Sequence, residues 1–224
     1  MSRELYKAIL VGATGLCGKH CLEKLLNDTD YQCVEIWVRR PTGIKHNKLD
    51  ERIIDFDHLE SLPDTDAQHF FCCLGTTIKK AGNQETFYKT DHDYVVSLAK
   101  IAQRSGAEKF LYISSIGANA LSRNFYLRTK GKVEEDLKKA FTAGLIIFRP
   151  SMLLGKRDEF RFAELAGKTF MKVFGFLLIG KIKKYRGINA SVVAEAMIRQ
   201  AKTSNKMDVS ILESDQIVEC VSNL

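Results

Sequence analysis

Two side chains with proton-transfer chemistry are spaced for one helix face. Tyr126 and Lys130 stand four residues apart, so a helix would place both on the same side. An ammonium group beside a phenol stabilises the phenolate, and such a phenol can pass a proton to or from a substrate oxygen. Ser115 precedes them, and its hydroxyl can hydrogen-bond a reacting carbonyl, with Ser114 as the weaker candidate. The pattern predicts a catalytic group of Ser115, Tyr126 and Lys130.

A glycine-rich segment near the N-terminus predicts a dinucleotide site. It starts at Gly12, directly after the apolar run 6–11, and opens a helical pattern over 16–27. Gly12 permits a tight turn, Gly15 lets the backbone approach a pyrophosphate, and Gly18 allows close packing of helix on strand. The free N–H groups at the start of the helix would face the phosphates. Spacing of the G-x-x-G-x-x-G type is typical of the short-chain dehydrogenase variant of this motif.

Two arginines indicate which dinucleotide is bound. Arg39 and Arg40 follow the second apolar run, and the next acidic residue is Asp50. Proteins that bind NAD usually place a carboxylate here for the ribose 2′-hydroxyl, whereas guanidinium groups pair with a 2′-phosphate. The sequence therefore favours NADP(H).

The order of elements predicts a doubly wound α/β fold. Short apolar runs alternate with helix-length segments, which is typical of a parallel sheet covered on both faces. The predicted strands are 6–11, 33–38, 52–54, 69–74, 109–114, 145–148 and 209–212, and the predicted helices are 16–27, 86–105, 126–141 and 190–202. We expect one Rossmann-type domain over 1–224, with 151–189 as an insertion on the substrate side.

Two loops follow strands at the edge where open α/β sheets bind ligands. Asp55 and Phe56 come after the third strand, where an adenine ring would lie. Leu74, Gly75 and Thr76 come after the fourth strand, where the chain would pass the adenosine ribose. Each of the two loops is ordinary when taken alone. Their position at the carboxyl ends of strands is what makes them candidate cofactor contacts.

Composition and charge exclude several classes of protein. The 224 residues are 45% hydrophobic and contain only 3 Pro, which excludes a disordered or collagen-like chain. No apolar run reaches the length of a membrane-spanning helix. Of the formal charge of +7, residues 151–190 carry +6, from nine basic and three acidic side chains. We expect no nucleic-acid partner, since no binding module accompanies this basic segment.

The segment 170–186 is both apolar and basic, and three interpretations stay open. It could line a lipophilic substrate pocket, contact an anionic membrane surface weakly, or form an ordinary core helix with a basic end. The expected partner is a small molecule, lipophilic or acidic in character, and the oligomeric state is left open.

The cysteines and histidines predict a compartment and argue against a metal. Six cysteines are present without a C-x-x-C pair, and we interpret them as structural thiols in a reducing cytosol. The five histidines have no zinc-ligand spacing, so we assign no metal site.

Taken together, these motifs resemble an atypical short-chain dehydrogenase/reductase. The segments 71–82, 89–102 and 114–134 are similar, more narrowly, to the Tat-interactive-protein family, whose bacterial and fungal members are mostly oxidoreductase-like proteins of unknown substrate. The resemblance implies an NADP(H) site that extends from the glycine turn to the segment after the sixth strand. The implied cofactor contacts are Gly12, Thr14, Gly15, Leu16, Cys17, Gly18, Arg39, Arg40, Asp55, Phe56, Leu74, Gly75, Thr76, Tyr126, Lys130, Leu153 and Arg161.

Two functions follow from this site. The first is an NADPH-dependent oxidoreductase that reduces a carbonyl-type substrate by hydride transfer, with Tyr126 as the proton donor. The second is an NADP(H)-binding regulatory or sensor protein with little turnover. Asp91 motivates the second, because it stands where many short-chain dehydrogenases have an asparagine that completes a proton relay.

Overall fold

A computed structural model describes residues 5–155, 186–203 and 208–222. The strands are β1 Tyr6–Val11, β2 Tyr31–Val38, β3 Leu49–Ile53, β4 His69–Cys72, β5 Lys109–Ile113, β6 Leu145–Arg149, β7 Leu153–Leu154, β8 Ile188–Asn189 and β9 Val209–Glu213. The α-helices are α1 Leu16–Asn27, α2 Ile78–Ala81, α3 Gln84–Tyr88, α4 Tyr94–Arg104, α5 Phe125–Ala140, α6 Ala190–Ala201 and α7 Ser214–Ser222. A 3₁₀ helix spans Phe56–Ser61, and a π-helical turn spans Lys89–Asp93.

Seven parallel strands form the central sheet in the order β3-β2-β1-β4-β5-β6-β9. The chain first builds outward from β1 to β3 and then crosses back to β4 on the other side of β1. The carboxyl ends of β1 and β4 therefore flank the point where the winding reverses, which is where open α/β sheets bind ligands. This arrangement confirms the predicted Rossmann-type fold and places the glycine-rich loop at that point.

Two hydrophobic layers cover the sheet, and residues 8–11 of β1 show why a buried strand is continuously apolar. Ala8 and Leu10 face one layer, which includes α1 and α6, while Ile9 and Val11 face the other, which includes α4 and α5. Because successive side chains of a strand point to opposite faces, a strand buried on both sides needs apolar residues at every position.

The predicted helix over 86–105 is two helices joined by a π-helical turn. It begins earlier, at Gln84, and the turn at Lys89–Asp93 separates α3 from α4. Asp91 and His92 lie within this turn, and both are buried. A π-turn adds one residue to the helical repeat, and such turns occur often at functional sites. Periodicity alone does not reveal it, since the apolar spacing of α4 is unaffected.

The fourth strand ends at Cys72 rather than at residue 74. Cys73 and Leu74 consequently belong to the loop at the carboxyl edge of the sheet. The 3₁₀ helix, α2 and α7 are further elements that the apolar pattern did not predict.

Only the two ends of the expected insertion 151–189 lie in the described part of the chain. Residues 153–154 and 188–189 pair in parallel as β7 and β8. Arg161 and most of 170–186 lie outside the described residues. Among the helices that are described, none has the length and apolar character needed to cross a bilayer.

Candidate cofactor and proton-transfer site

The glycine-rich loop has no room for side chains at its first and last glycines. Gly12 has φ +85°, and a Cβ there would lie 2.6 Å from the carbonyl oxygen of Cys73. A Cβ on Gly18 would lie 2.0 Å from the carbonyl oxygen of Gly12. The two glycines therefore let the loop after β1 pack against both α1 and the loop after β4. The turn is closed by a hydrogen bond of 2.9 Å from the Gly15 N–H to the Gly12 oxygen.

Helix α1 starts directly after the glycine-rich loop. Its N-cap is Gly15, which supplies no side-chain cap, and no acidic residue lies in the first turn. An anion at this end of the helix would meet the positive end of the helix dipole. Thr14 and Gly15 are exposed and Leu16 is half-buried, while Cys17 and Gly18 are buried against the sheet.

Arg39 and Arg40 are exposed directly after β2, the strand that neighbours β1. Within residues 5–155, 186–203 and 208–222, neither guanidinium pairs with a carboxylate. Their charge is therefore available to a ligand on the glycine loop.

Asp55 and Phe56 have structural partners at the edge of the sheet. The Asp55 carboxylate caps the 3₁₀ helix by accepting from the Asp57 N–H at 2.9 Å, and it also contacts His58 Nδ1 at 2.8 Å. These hydrogen bonds lower the pKa of Asp55. Phe56 is buried and packs on Tyr94, with ring centroids 5.5 Å apart. Asp55 is exposed, and each of its carboxylate oxygens can accept a further hydrogen bond, so the side chain can still face an adenine.

The loop after β4 lies directly over the proton-transfer residues. The Thr76 N–H donates to Asp91 Oδ2 at 2.8 Å. A Cβ on Gly75 would lie 3.7 Å from Asp91 Oδ1 and 3.9 Å from Lys130 Nζ. Gly75 is exposed above this pair, while Leu74 and Thr76 are half-buried. The structure therefore brings the predicted adenosine segment to the predicted catalytic lysine.

Lys130 is buried and held by two neighbours. Its Nζ forms an ion pair with Asp91 Oδ1 at 2.9 Å, and that oxygen accepts no hydrogen bond. The same Nζ donates a hydrogen bond to the Tyr112 hydroxyl at 3.0 Å. Burial alone would lower the pKa of Lys130, but Asp91, Tyr112 and Tyr126 outweigh it and hold that pKa well above its usual value. Burial raises the pKa of Tyr112, so this phenol stays neutral and accepts from the ammonium. Lys130 is therefore a fixed cation.

Tyr126 lies in the first turn of α5, one helical turn before Lys130, and is half-buried. Its ring packs against Phe87 of α3 at 5.8 Å between centroids. The phenol interacts electrostatically with Lys130, as the spacing predicts. Tyr126 is thus anchored through its ring and remains partly exposed.

The structure distinguishes the two serines after β5. Ser114 is buried, and its hydroxyl donates to the buried Glu134, which is also paired with Arg149. Ser115 is half-buried, and its hydroxyl makes only a long 3.3 Å contact with the carbonyl of Ile116. Ser115 therefore has a hydroxyl to offer a substrate, whereas Ser114 is committed to the fold.

Three residues of the site escaped sequence reasoning. Tyr112 lies within a predicted apolar strand and Glu134 within a predicted helix, and neither position indicated a role in the site. Gly131 carried a usable signal, because an isolated glycine inside a helix often marks close packing. A Cβ on Gly131 would lie 2.1 Å from the Ala120 N atom, so this glycine lets the serine-bearing loop pack on α5 beside Lys130.

Leu153 packs against the hydrophobic layer that includes α1. A Cβ on Gly155 would lie 2.8 Å from Leu16 Cδ1, which places the segment after β6 against the start of α1. Leu153 is half-buried in that segment. Arg161 falls outside the described residues. Within the described ranges, no group of three or more His, Cys, Asp or Glu side chains is placed to hold a metal ion.

The strand order and the glycine-rich loop define a protein of the Rossmann-fold class. Solved structures of this class share the fold at low sequence identity. A UDP-N-acetylglucosamine 4-epimerase from Methanobrevibacter ruminantium, in complex with UDP-N-acetylmuramic acid, has a TM-score of 0.69 at 16% identity and covers 94% of this chain and 77% of its own. The Bordetella bronchiseptica enzyme WbmH, in complex with NAD⁺, has a TM-score of 0.67 at 14% identity and covers 94% and 76%.

Within that class, the chain belongs to the HIM1 family, which matches residues 40–177. Protein HTATIP2 of Rattus norvegicus is 31% identical over 214 residues, which cover 93% of this chain and 86% of the relative. The FMP52 proteins of Candida glabrata and Eremothecium gossypii, both named as mitochondrial, are 30% and 32% identical, with 96% of each chain covered. These relatives confirm the resemblance to the Tat-interactive-protein family.

The fungal names contradict the predicted cytosolic location, because both FMP52 proteins are mitochondrial. The prediction relied on cysteines, and all six are indeed free. Free thiols argue only against an oxidising compartment and do not distinguish between reducing ones.

Proposed function

We propose that this protein is an NADP(H)-dependent oxidoreductase that reduces a carbonyl-type group on a small molecule. The observation that carries the proposal is the buried Lys130 cation beside Tyr126, directly beneath Gly75. This geometry joins a proton donor to the loop that lines a dinucleotide crevice.

The residues of the crevice fit a dinucleotide. The backbone at Gly12 is in a conformation that favours glycine, and the start of α1 has uncapped N–H groups for a pyrophosphate. The two exposed arginines directly after β2 suit a 2′-phosphate, and the sequence has no acidic residue between them and Asp50. NADP(H) is therefore favoured over NAD(H).

Bound NADPH would supply the hydride. Tyr126 donates its phenolic proton to the substrate oxygen, and Ser115 donates a hydrogen bond to the same oxygen. The ammonium of Lys130 stabilises the phenolate that remains, and Asp91 and Tyr112 hold that ammonium in place. Half-buried Tyr126 can then recover a proton from solvent.

Consumption of NADPH against a panel of aldehydes, ketones and quinones tests this proposal, with a lipophilic and an acidic member of each class. Tyr126→Phe should abolish turnover of any active substrate, because the ring remains but the proton is lost. Tyr6→Phe is a matched control, because it removes a phenolic hydroxyl at the amino end of β1, away from the carboxyl edge of the sheet. The proposal fails if no compound is reduced, or if Tyr126→Phe is as active as the native protein.

One observation favours a second function, an NADP(H)-binding regulatory protein with little turnover. Asp91 and Tyr112 already contact the Lys130 ammonium, which is only 3% exposed. A lysine whose charge is already paired stabilises a Tyr126 phenolate less and is a stable part of a binding site. A partner whose affinity changes with NADPH, in both the native protein and Tyr126→Phe, would support this function. Partner binding that ignores NADPH would contradict it.

The names of the fungal relatives also motivate a proposal about location. We propose that this protein associates with mitochondria, as their names state for the FMP52 proteins. Fractionation of its source cells tests this, and recovery outside mitochondria would contradict it.

A further inference from the structure

His92 lies in the π-helical turn, beside the residue that pairs with the catalytic lysine. Its ring is 8% exposed and stacks on Tyr88, with centroids 4.4 Å apart and planes 20° from parallel. Nδ1 lies 2.8 Å from Asp93 Oδ1, and Nε2 lies 3.1 Å from Asp136 Oδ2 on α5. Both ring nitrogens therefore face carboxylates.

This geometry fits only one protonation state of the ring. A neutral imidazole has one N–H donor and one bare nitrogen, whereas the imidazolium has two donors. A neutral ring would turn a lone pair toward either Asp93 or Asp136, and that contact would be repulsive. The protonated ring makes both contacts favourable and links the π-turn to α5.

The same two elements carry the Asp91–Lys130 ion pair. Asp91 lies in the turn next to His92, and Lys130 lies on α5, six residues before Asp136. The π-turn thus contacts α5 at two points, one through His92 and one through Asp91. Loss of the first contact frees the turn to move relative to α5 and so changes how Asp91 holds Lys130 and the Thr76 N–H.

We propose that protonated His92 is a positioning residue that clamps the π-turn onto α5 and thereby fixes Asp91 against Lys130 and Thr76. The proposal rests on the proposed cofactor site, because it concerns how tightly that site is held. Removal of one ring proton would leave one of the two contacts without its donor, so raising the pH opens the clamp.

The charged surroundings of His92 agree with this direction. Asp93 from the turn and Asp136 from α5 are acidic, and stacked Tyr88 from α3 is a neutral phenol whose pKa burial raises. Lys139 is the nearby cation, and it pairs with Asp136 at 2.9 Å. Hydrogen bonds from Lys139 and His92 lower the pKa of Asp136, which keeps it an anion opposite the ring.

The first measurement needs no cofactor. The backbone amide resonance of Thr76 reports the position of Asp91, and the C2 proton of His92 reports its protonation. In the native protein the Thr76 resonance should shift with the same midpoint as the His92 ring. In His92→Gln that transition should vanish, while His46→Gln, which removes an exposed imidazole, should retain it. A Thr76 resonance that ignores pH in the native protein overturns the proposal.

The second measurement is NADPH affinity from pH 5.5 to 8.5, expressed as the ratio of variant to native Kd so that the titration of the ligand cancels. His92→Gln and Asp136→Asn should each weaken binding roughly fivefold at pH 5.5 and hardly at all at pH 8.5. Equal weakening at every pH would indicate a merely structural role and overturn the proposal. If the native protein binds no NADPH, the proposed function fails, and the Thr76 measurement still decides the role of His92.

Discussion

Asp91 and Lys130 form a buried ion pair that joins the π-helical turn to α5, with Oδ1 and Nζ 2.9 Å apart and both side chains nearly inaccessible. The second carboxylate oxygen of Asp91 accepts from the Thr76 N–H. One carboxylate thus fixes both the proposed catalytic lysine and the loop that would line the cofactor.

Removal of Lys130 alone should destabilise the fold. Lys130→Met leaves the Asp91 charge buried without its cation, so we expect a loss of about 3–5 kcal/mol in the free energy of unfolding. The double variant with Asp91→Asn should recover much of that loss, because no charge is then stranded. Urea unfolding measures both, and a double variant no more stable than Lys130→Met would contradict the ion pair.

The two serines should separate stability from activity. Ser114→Ala removes a donor to buried Glu134 and should lower the free energy of unfolding by about 1–3 kcal/mol. Ser115→Ala should leave stability unchanged and lower turnover by roughly a hundredfold, because it removes a hydrogen bond to the reacting oxygen. Thermal unfolding and kcat are measured on both variants. The reverse pattern would show that Ser114 contacts the substrate.

Gly12 and Gly106 test the packing of the dinucleotide loop. Both have positive φ, +85° and +70°, but a Cβ at Gly106 meets nothing within 4 Å, while one at Gly12 meets the backbone of Cys73. Gly106→Ala should cost only the left-handed backbone penalty of about 1–2 kcal/mol. Gly12→Ala should cost clearly more and abolish NADPH binding. Equal losses in the free energy of unfolding for the two variants would show that the loop shifts to accommodate a Cβ at position 12 without further destabilisation.

Arg39 and Arg40 should determine preference between the two dinucleotides. Arg39→Asp combined with Arg40→Ala should weaken NADPH binding by roughly ten- to hundredfold and leave NADH binding nearly unchanged. Only NADPH has a 2′-phosphate, so only NADPH would lose contacts with the two guanidinium groups. Lys45→Ala, an exposed change in the following loop, serves as the control for general loss of positive charge. Similar losses for both dinucleotides would show that these arginines do not read the 2′-phosphate.

His69 should make the fold less stable in acid. It is buried in β4, its Nδ1 lies 2.7 Å from the Tyr31 hydroxyl, and burial lowers its pKa from 6.5 to about 3. The unfolded chain therefore binds a proton below pH 6.5 that the folded chain refuses until about pH 3. Stability is thus full above pH 6.5 and falls, by about 1.4 kcal/mol for each pH unit, as the pH drops through that window.

His69→Gln should remove this contribution, since the amide does not titrate and can still bond to Tyr31. His46→Gln, at an exposed site, should leave the pH dependence as it is. Urea unfolding between pH 4 and 7 measures the slope for each variant. A His69→Gln variant with the native slope would show that other groups cause the acid sensitivity.

The sequence was sufficient for the fold class and for most positions of the candidate site. Continuous apolar runs such as residues 8–11 arise because a parallel strand is buried on both faces, so every position needs an apolar residue. Glycines at 12 and 18 are likewise required by close contacts that no side chain permits. The four-residue step from Tyr126 to Lys130 follows from helical geometry alone.

The tertiary structure decided which polar groups are available for chemistry. It committed the Ser114 hydroxyl to Glu134, left Ser115 half-buried with only a long contact, and paired the Lys130 cation with Asp91 beside the Tyr112 hydroxyl. It also broke the predicted helix at the π-turn, so that Asp91 and His92 both became buried. The physical reason is that periodicity reports only whether a side chain faces a core, whereas hydrogen bonds and ion pairs join groups far apart in the chain and form only when the packed elements bring them together.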